Sequence, residues 1–552
     1  MGRLPILKSP LTKAHSHRGD HVNEPAELNT QDESLFENPQ FEHYEATSNI
    51  QLFFDLFFVA NLSSFTSVHE INSRDTLASY IGFICVLWFT WCQVTLYDVR
   101  FATDSIFERI AHACHFGVMV GLAVIGPNFL TPDGWGPLQQ LSLILMVSRV
   151  ILLCQYGSTL FFTWRYRKTR APLIVVMMSL VVAVFVYLGI SFAFYKRTAY
   201  DAYIAWYVLA VAEVVLAVAV AALWPAVSLW KTHLVERMTC LTLIILGEGI
   251  IGLTGTIGKI QKLDGKFTAT DIGTLISAVL IIYLIYQLYF DSIRLEPISG
   301  RRQHLSAILH FPFHLALCLA MEGTNQVLLW VHISGDIGKI FDPFLNALLD
   351  GTTTTPQLQT IFTEMLNDVF SRFDTTDVVF NEVQHSLNET LALPATADPS
   401  ELLVTGLDAV TEAMKTVIEG FGWEAPTEIE GEGIEGLEAA FTAFTSVFKI
   451  TFGYFTICTG LILIFIAVFS LLSLQPGSHH SSENRLRYIC TGTTMAVGLG
   501  IALLSLTTRS GAGENLGESP WAIAGLMLIL LALLVLNHLP RGYYHVVVEK
   551  HV

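Results

Sequence analysis

Residues 236–252 read ERMTCLTLIILGEGIIG, an apolar run that closes around one carboxylate, Glu248. If the run enters a bilayer near Met238, a rise of about 1.5 Å per residue carries Glu248 roughly 15 Å down, close to the midplane. An ionised acid there costs about 2.5–3.5 kcal/mol, so it must face the protein interior, carry a proton or find a partner. Gly247, Gly249 and Gly252 flank it, and residues that small let a second helix approach the backbone. Two readings follow: a packing seam with a buried ion pair, or a working site.

The rest of the chain fits a run of that kind. Its 552 residues are 52% hydrophobic and only 14% charged, against about 25% charged in a soluble domain, and the mean hydropathy is +0.52. These values describe a polytopic membrane protein. All eight cysteines (Cys85, Cys92, Cys114, Cys154, Cys240, Cys318, Cys458 and Cys490) lie in or beside apolar spans, which argues against a disulfide framework or a thiolate zinc motif. Neither a phosphate loop, a dinucleotide fingerprint nor a nucleophile elbow stands out, and no basic patch suits nucleic acid. The net charge of −17 has one address, because segment 334–448 holds 20 Asp plus Glu against 3 Lys plus Arg.

Taken in order, residues 1–49 read as a polar, disordered cytoplasmic tail without a cleavable signal, so the first span is expected to act as an uncleaved anchor. Twelve apolar stretches follow, taken as helices because lipid tolerates no open sheet edge. The first six are expected near 50–68, 77–97, 106–129, 138–162, 172–194 and 201–224. The second six fall near 238–257, 271–290, 304–333, 449–473, 487–507 and 519–539. The domains are thus a six-helix half over 50–224, three helices over 225–333, the acidic segment 334–448, three helices over 449–539 and a tail over 540–552. Cations such as Arg165, Arg167, Lys168, Arg170, Arg301 and Arg302 fall on one side, which puts both termini in the cytoplasm, in the plasma membrane or an endomembrane. The acidic segment then faces outward, as does the sequon at Asn388, a candidate glycosylation site. Within it, 358–373, 402–421 and 437–448 carry helix-like apolar spacing, which suits either a helical cap or a flexible insertion.

Polar landmarks recur at one offset. Asp55 and Glu248 are 193 residues apart, Asp98 and Asp291 are 193 apart, and His115 and His310 are 195 apart. An even number of helices per half makes these two parallel six-helix repeats, so the expected fold is all-α with about twelve transmembrane helices. On this reading Asp55 and Glu248 meet where the halves meet, with His115 and His310 beside them. Glu108, His112 and His115 share one face of the third helix, and His310 and His314 share one face of the ninth, with Glu322 two turns beyond. Arg149 and Glu213 lie mid-span in the fourth and sixth helices, so Arg149 is expected to pair with Glu213, Asp55 or Glu248.

Two chemistries suit this set. In the first, Asp55 and Glu248, helped by His115 and His310, with Arg149 as counter-ion and Glu213 and Glu322 nearby, move protons with an unknown small solute. The chain is then a proton-coupled secondary transporter or permease without a cofactor. In the second, His112, His115, His310 and His314 with Glu108 bind Zn²⁺ for an intramembrane hydrolase, although no strict zinc motif occurs. A non-transporting scaffold is the third class, and the sequence leaves homo-oligomerisation open.

Four pieces carry a family resemblance: QLFFDLFFVANLSS (51–64), HLVERMTCLTLIILGEGI (233–250), IYQLYFDSIRLE (285–296) and HFPFHLALCLAMEG (310–323). They resemble the bacterial low temperature requirement protein A (LtrA) family, with a fungal-type tail and insertion. The resemblance implies a polytopic membrane protein, and an acid just before LFFDL where this chain has Gln51.

Overall fold

Ser48 and Gln51 start the first helix reciprocally, the Gln51 side chain accepting the Ser48 N–H at 3.0 Å in a capping box. In this computed structural model the described residues are 4–11, 41, 47–68, 71–130, 134–230, 232–264, 267–293, 300–349, 354–373, 377–394, 399–421, 423, 433–473, 481–509, 519 and 521–549. Among them are fifteen α-helices: α1 (Asn49–Thr66), α2 (Arg74–Phe101), α3 (Ile106–Ile125), α4 (Trp135–Thr163), α5 (Arg167–Tyr195), α6 (Ile204–Leu223), α7 (Leu234–Asp264) and α8 (Ala269–Ser292), then α9 (Gly300–Leu349), α10 (Thr355–Arg372), α11 (Asp377–Leu391), α12 (Pro399–Gly420), α13 (Gly433–Leu472), α14 (Ser481–Leu503) and α15 (Trp521–Glu549).

Among the described residues, eleven helices are long and apolar enough to cross a membrane: α2 to α9 and α13 to α15. The expected twelfth, α1, is not among them, because Gln51, Asp55 and Asn61 interrupt its apolar residues; all three are buried. The tail reading for 12–40 and 42–46 lies outside the described residues. Residues 4–11 are not idle, since the carbonyls of Pro5 and Ile6 accept the first N–H groups of α3, from Ile106 and Phe107, at 3.0 and 3.1 Å.

The chain forms two compact units, which divide within α7 after Glu248 and within α9 after Leu315. Unit 1 comprises residues 1–69, 78–248 and 293–315. At its centre runs α2, whose residues 86–101 are all buried. A helix covered on every side can present polar groups in several directions at once, and α2 does so with Trp88, Trp91, Thr95, Tyr97 and Asp98. Its apolar end is fixed by Phe83, stacked on Phe65 of α1 at 4.2 Å between centroids.

Unit 2 comprises residues 70–77, 249–292 and 316–552. The acidic insertion is mostly helical over its described residues, and its ends are continuous with the spans: α9 runs on to Leu349 and α13 begins at Gly433, with α10 to α12 between. An aromatic core holds it, in which Trp330 stacks on Trp423 and Phe448 at 4.8 and 5.1 Å. Asp336, 1% exposed, ties α9 to α10 through Arg372 at 3.1 Å. Asn388 lies exposed on α11.

In unit 2, α13 and α14 pack backbone to backbone at Gly460 and Gly498. A Cβ built on Gly460 would collide with the Gly498 carbonyl oxygen and lie 2.7 Å from the Ala502 nitrogen. Backbone cannot swing aside, so Gly460→Ala is expected to cost about 1–3 kcal/mol and lower the unfolding temperature of the detergent-solubilised protein. Gly453→Ala, with nothing within 4 Å of its Cβ, is the control expected to melt unchanged or slightly higher.

Candidate functional site

The buried polar groups of unit 1 gather around α2. Asp55 of α1 and Arg237 of α7 are both wholly buried and form an ion pair, Nη2 to Oδ1, at 2.8 Å. Trp91 donates its indole N–H to the same Asp55 oxygen at 2.7 Å, and its ring lies 5.8 Å beneath the guanidinium. Thr95 accepts from Arg237 Nη2 at 3.2 Å. Trp91, Thr95 and Asp98 follow at spacings of four and three, which puts them on one face of α2.

Asp98 continues that face. It is 2% exposed, lies within electrostatic reach of Arg237, Asp55 and Glu108, and stands 3.7 Å from Nε2 of His112 on α3. Neither of its carboxylate oxygens has a hydrogen-bond partner among the described residues. Glu108, one turn before His112, is by contrast well supplied. Tyr97 donates to Oε1 at 2.7 Å and the Gln155 amide donates to Oε2 at 2.8 Å. Because the Gln155 NH₂ serves Glu108, its oxygen must accept from His115 Nε2, at 2.9 Å. Arg100, also buried, donates to the carbonyls of Leu96 and Val227 and lies within electrostatic reach of Tyr156, while its Nη2 has no partner among the described residues.

Above this cluster lies a cavity of about 510 Å³, within the range of small-molecule sites. It opens where α1 and α3 begin, and its wall includes Ser48, Gln51, Thr103, Glu108, His112 and His233. His233 meets Gln51 across it, Nε2 to the amide oxygen, at 3.2 Å.

A family model described as "Bacterial low temperature requirement A protein (LtrA)" matches residues 46–339, more than half of the chain. The chain belongs to the LtrA family. It is an integral, multi-pass membrane protein of that family. Neither the curated proteins nor the solved structures contain a match. The geometry explains why two LtrA pieces far apart in sequence go together. QLFFDLFFV supplies Gln51 and Asp55, HLVERM supplies His233 and Arg237, and the four close on each other as two pairs. At the position where the resemblance implies an acid, Gln51 keeps a polar bond to His233.

The remaining expected residues divide as follows. Arg149 pairs with Glu213, the first of its three candidate partners, with Nη2 to Oε2 at 2.9 Å, and packs 5.7 Å from the Tyr187 ring. Asp55 meets Arg237 rather than Glu248, which lies eleven residues, roughly 16 Å, farther along α7. His314 uses both nitrogens: Nδ1 accepts from Trp88 at 3.0 Å, so Nε2 donates to Thr242 at 2.9 Å. His310 donates from Nδ1 to the Ser306 carbonyl at 2.6 Å. His112 and His115 therefore sit in one network, and His310 and His314 in another. Among the described residues no three of His, Cys, Asp and Glu converge as metal ligands. In unit 2, Glu322 accepts from the Gln326 amide at 2.9 Å, and Gln326 accepts from Trp423 of the insertion at 2.7 Å.

Sequence reasoning passed over Arg237, although it stands beside Glu236 in the opening stretch. It used Asp98 only as a repeat landmark. Tyr97, Trp91 and Gln155 gave no signal, because a phenol, an indole or an amide in an apolar helix is common and its partner is far off in sequence.

Proposed function

We propose that this protein is a proton-coupled secondary transporter whose proton site is the Asp55–Arg237–Asp98–His112–Glu108 cluster of unit 1. The observation that carries the reading is Asp98: a buried carboxylate without a hydrogen-bond donor among the described residues, 3.7 Å from a histidine in the wall of an open cavity. Three carboxylates (Asp55, Asp98 and Glu108) stand against one adjacent guanidinium, Arg237. Buried charge of that excess is neutralised most readily by taking up a proton. Arg237 matches Asp55, and Tyr97 and Gln155 solvate Glu108, so Asp98 is the group left to take it. His112 is the relay between cavity and carboxylate. His115 acts through Gln155 to orient Glu108, and the Arg149–Glu213 pair pins α4 to α6.

Proteoliposomes enclosing a pH-sensitive dye test this. With a pH step across the bilayer and a pool of amino acids, sugars, nucleosides and monovalent salts outside, the lumen is expected to change pH well above the rate of empty vesicles. Glu108→Gln, which removes the charge that Tyr97 and Gln155 serve, is expected to slow the change roughly tenfold. A wild-type rate equal to that of empty vesicles would remove the transport reading.

A further inference from the structure

Behind the cavity, hydrogen-bonding atoms of both kinds stand without partners among the described residues. On the acceptor side are both oxygens of Asp98 and Nδ1 of His112, whose Nε2 faces Asp98 and so carries the proton of the neutral ring. On the donor side are Nε and Nη1 of Arg237, and the Tyr156 hydroxyl can serve in either role. All four residues are buried, Asp98 being 2% exposed, His112 3%, Arg237 0% and Tyr156 1%. They come from four helices, α2, α3, α7 and α4, and Arg237 and Tyr156 both lie within electrostatic reach of Asp98. An unmet buried polar group costs about 1–3 kcal/mol, so this cluster, which meets the cavity wall at His112, calls for a ligand with matching groups.

A ligand bearing only an ammonium would satisfy Asp98 and His112 and leave Arg237 unmet. One bearing only a carboxylate would do the reverse. We propose that the site takes a small zwitterion, an α-amino acid, with its ammonium on Asp98 and His112 and its carboxylate on Arg237 and Tyr156. This rests on the transport reading and names its substrate class. The ammonium and the proton then compete for Asp98, so the amino acid binds as the proton leaves and the two exchange across the bilayer.

Thermal unfolding of the purified full-length protein in detergent tests the binding, since a ligand of the folded state raises the melting temperature. The probes are glycine, alanine and leucine, the amines ethylamine and isoamylamine, and the acids propionate and isovalerate. At least one amino acid is expected to stabilise, and no amine or acid is expected to match it at about 100-fold higher concentration, because each leaves one side of the site unpaired. Tyr156→Phe deletes a hydroxyl without a hydrogen-bond partner among the described residues. It is therefore expected to melt like the wild type yet bind the amino acid about tenfold more weakly. An amine or acid as effective as the amino acids, no stabilisation by any probe, or undiminished affinity in Tyr156→Phe would each overturn the proposal. In the proteoliposomes, proton movement driven by sugars, nucleosides or salts but not by amino acids would overturn it while leaving transport intact. Amino-acid binding without proton movement would overturn the coupling while leaving the binding site.

Discussion

Arg237→Ala is expected to leave little folded protein. The guanidinium is the charge partner of Asp55, also fully buried, and removing one member of a buried pair leaves an uncompensated ion, a loss of about 3–5 kcal/mol. That is a large part of the 5–15 kcal/mol typical of a whole domain. Thr95 also loses the donor it serves, while Trp91 keeps Asp55 as its acceptor, so the damage is chiefly one of charge. A double variant separates charge from shape. Asp55→Leu with Arg237→Met removes both ions and keeps apolar volume, so most of the lost stability should return, as it often does when buried ion pairs are replaced by packed apolar side chains. Melting temperatures of the single and double variants provide the check. A single variant as stable as the wild type would mean that water reaches the pair. The double variant should bind no amino acid, because Arg237, the group proposed to hold the carboxylate, is gone.

Asp98→Asn should do the reverse, sparing the fold and removing the activity. No described donor bonds either carboxylate oxygen, so the amide breaks no hydrogen bond, and its size is nearly the same. It cannot take up and release a proton. Losing a positioned proton-transfer group costs about 10²–10⁴ in rate, so pH change in the proteoliposomes should fall at least about 100-fold at an unchanged melting temperature.

How far the chain could be read in advance depended on the range of each interaction. Spans α2 to α9 and α13 to α15 were legible because twenty or so apolar residues in lipid have only one way to satisfy their backbone. The amphipathic spacing in 358–373 and 402–421, which suited a helical cap and a flexible insertion alike, coincides with α10 and α12. The Arg149–Glu213 pair was legible as one of three options, since a cation in mid-span needs an acid. The partner of Asp55 was not. Arg237 lies near the start of α7, where a cation usually reads as an interface residue, and only the close approach of α1 and α7 reveals its role. Glu248 shows the opposite failure, because its depth could be counted along a helix but its neighbours could not. The cavity was invisible for the same reason, since its wall draws on the starts of α1 and α3 and on the residue before α7.

Infrared difference spectroscopy of the reconstituted protein, recorded as the bathing pH is stepped, reads the proton on its carboxyl group. A buried carboxylic C=O band should rise and fall with the step in the wild type and in Glu248→Gln, and should vanish in Asp98→Asn. A band that persists unchanged in Asp98→Asn would contradict the assignment of the proton to Asp98.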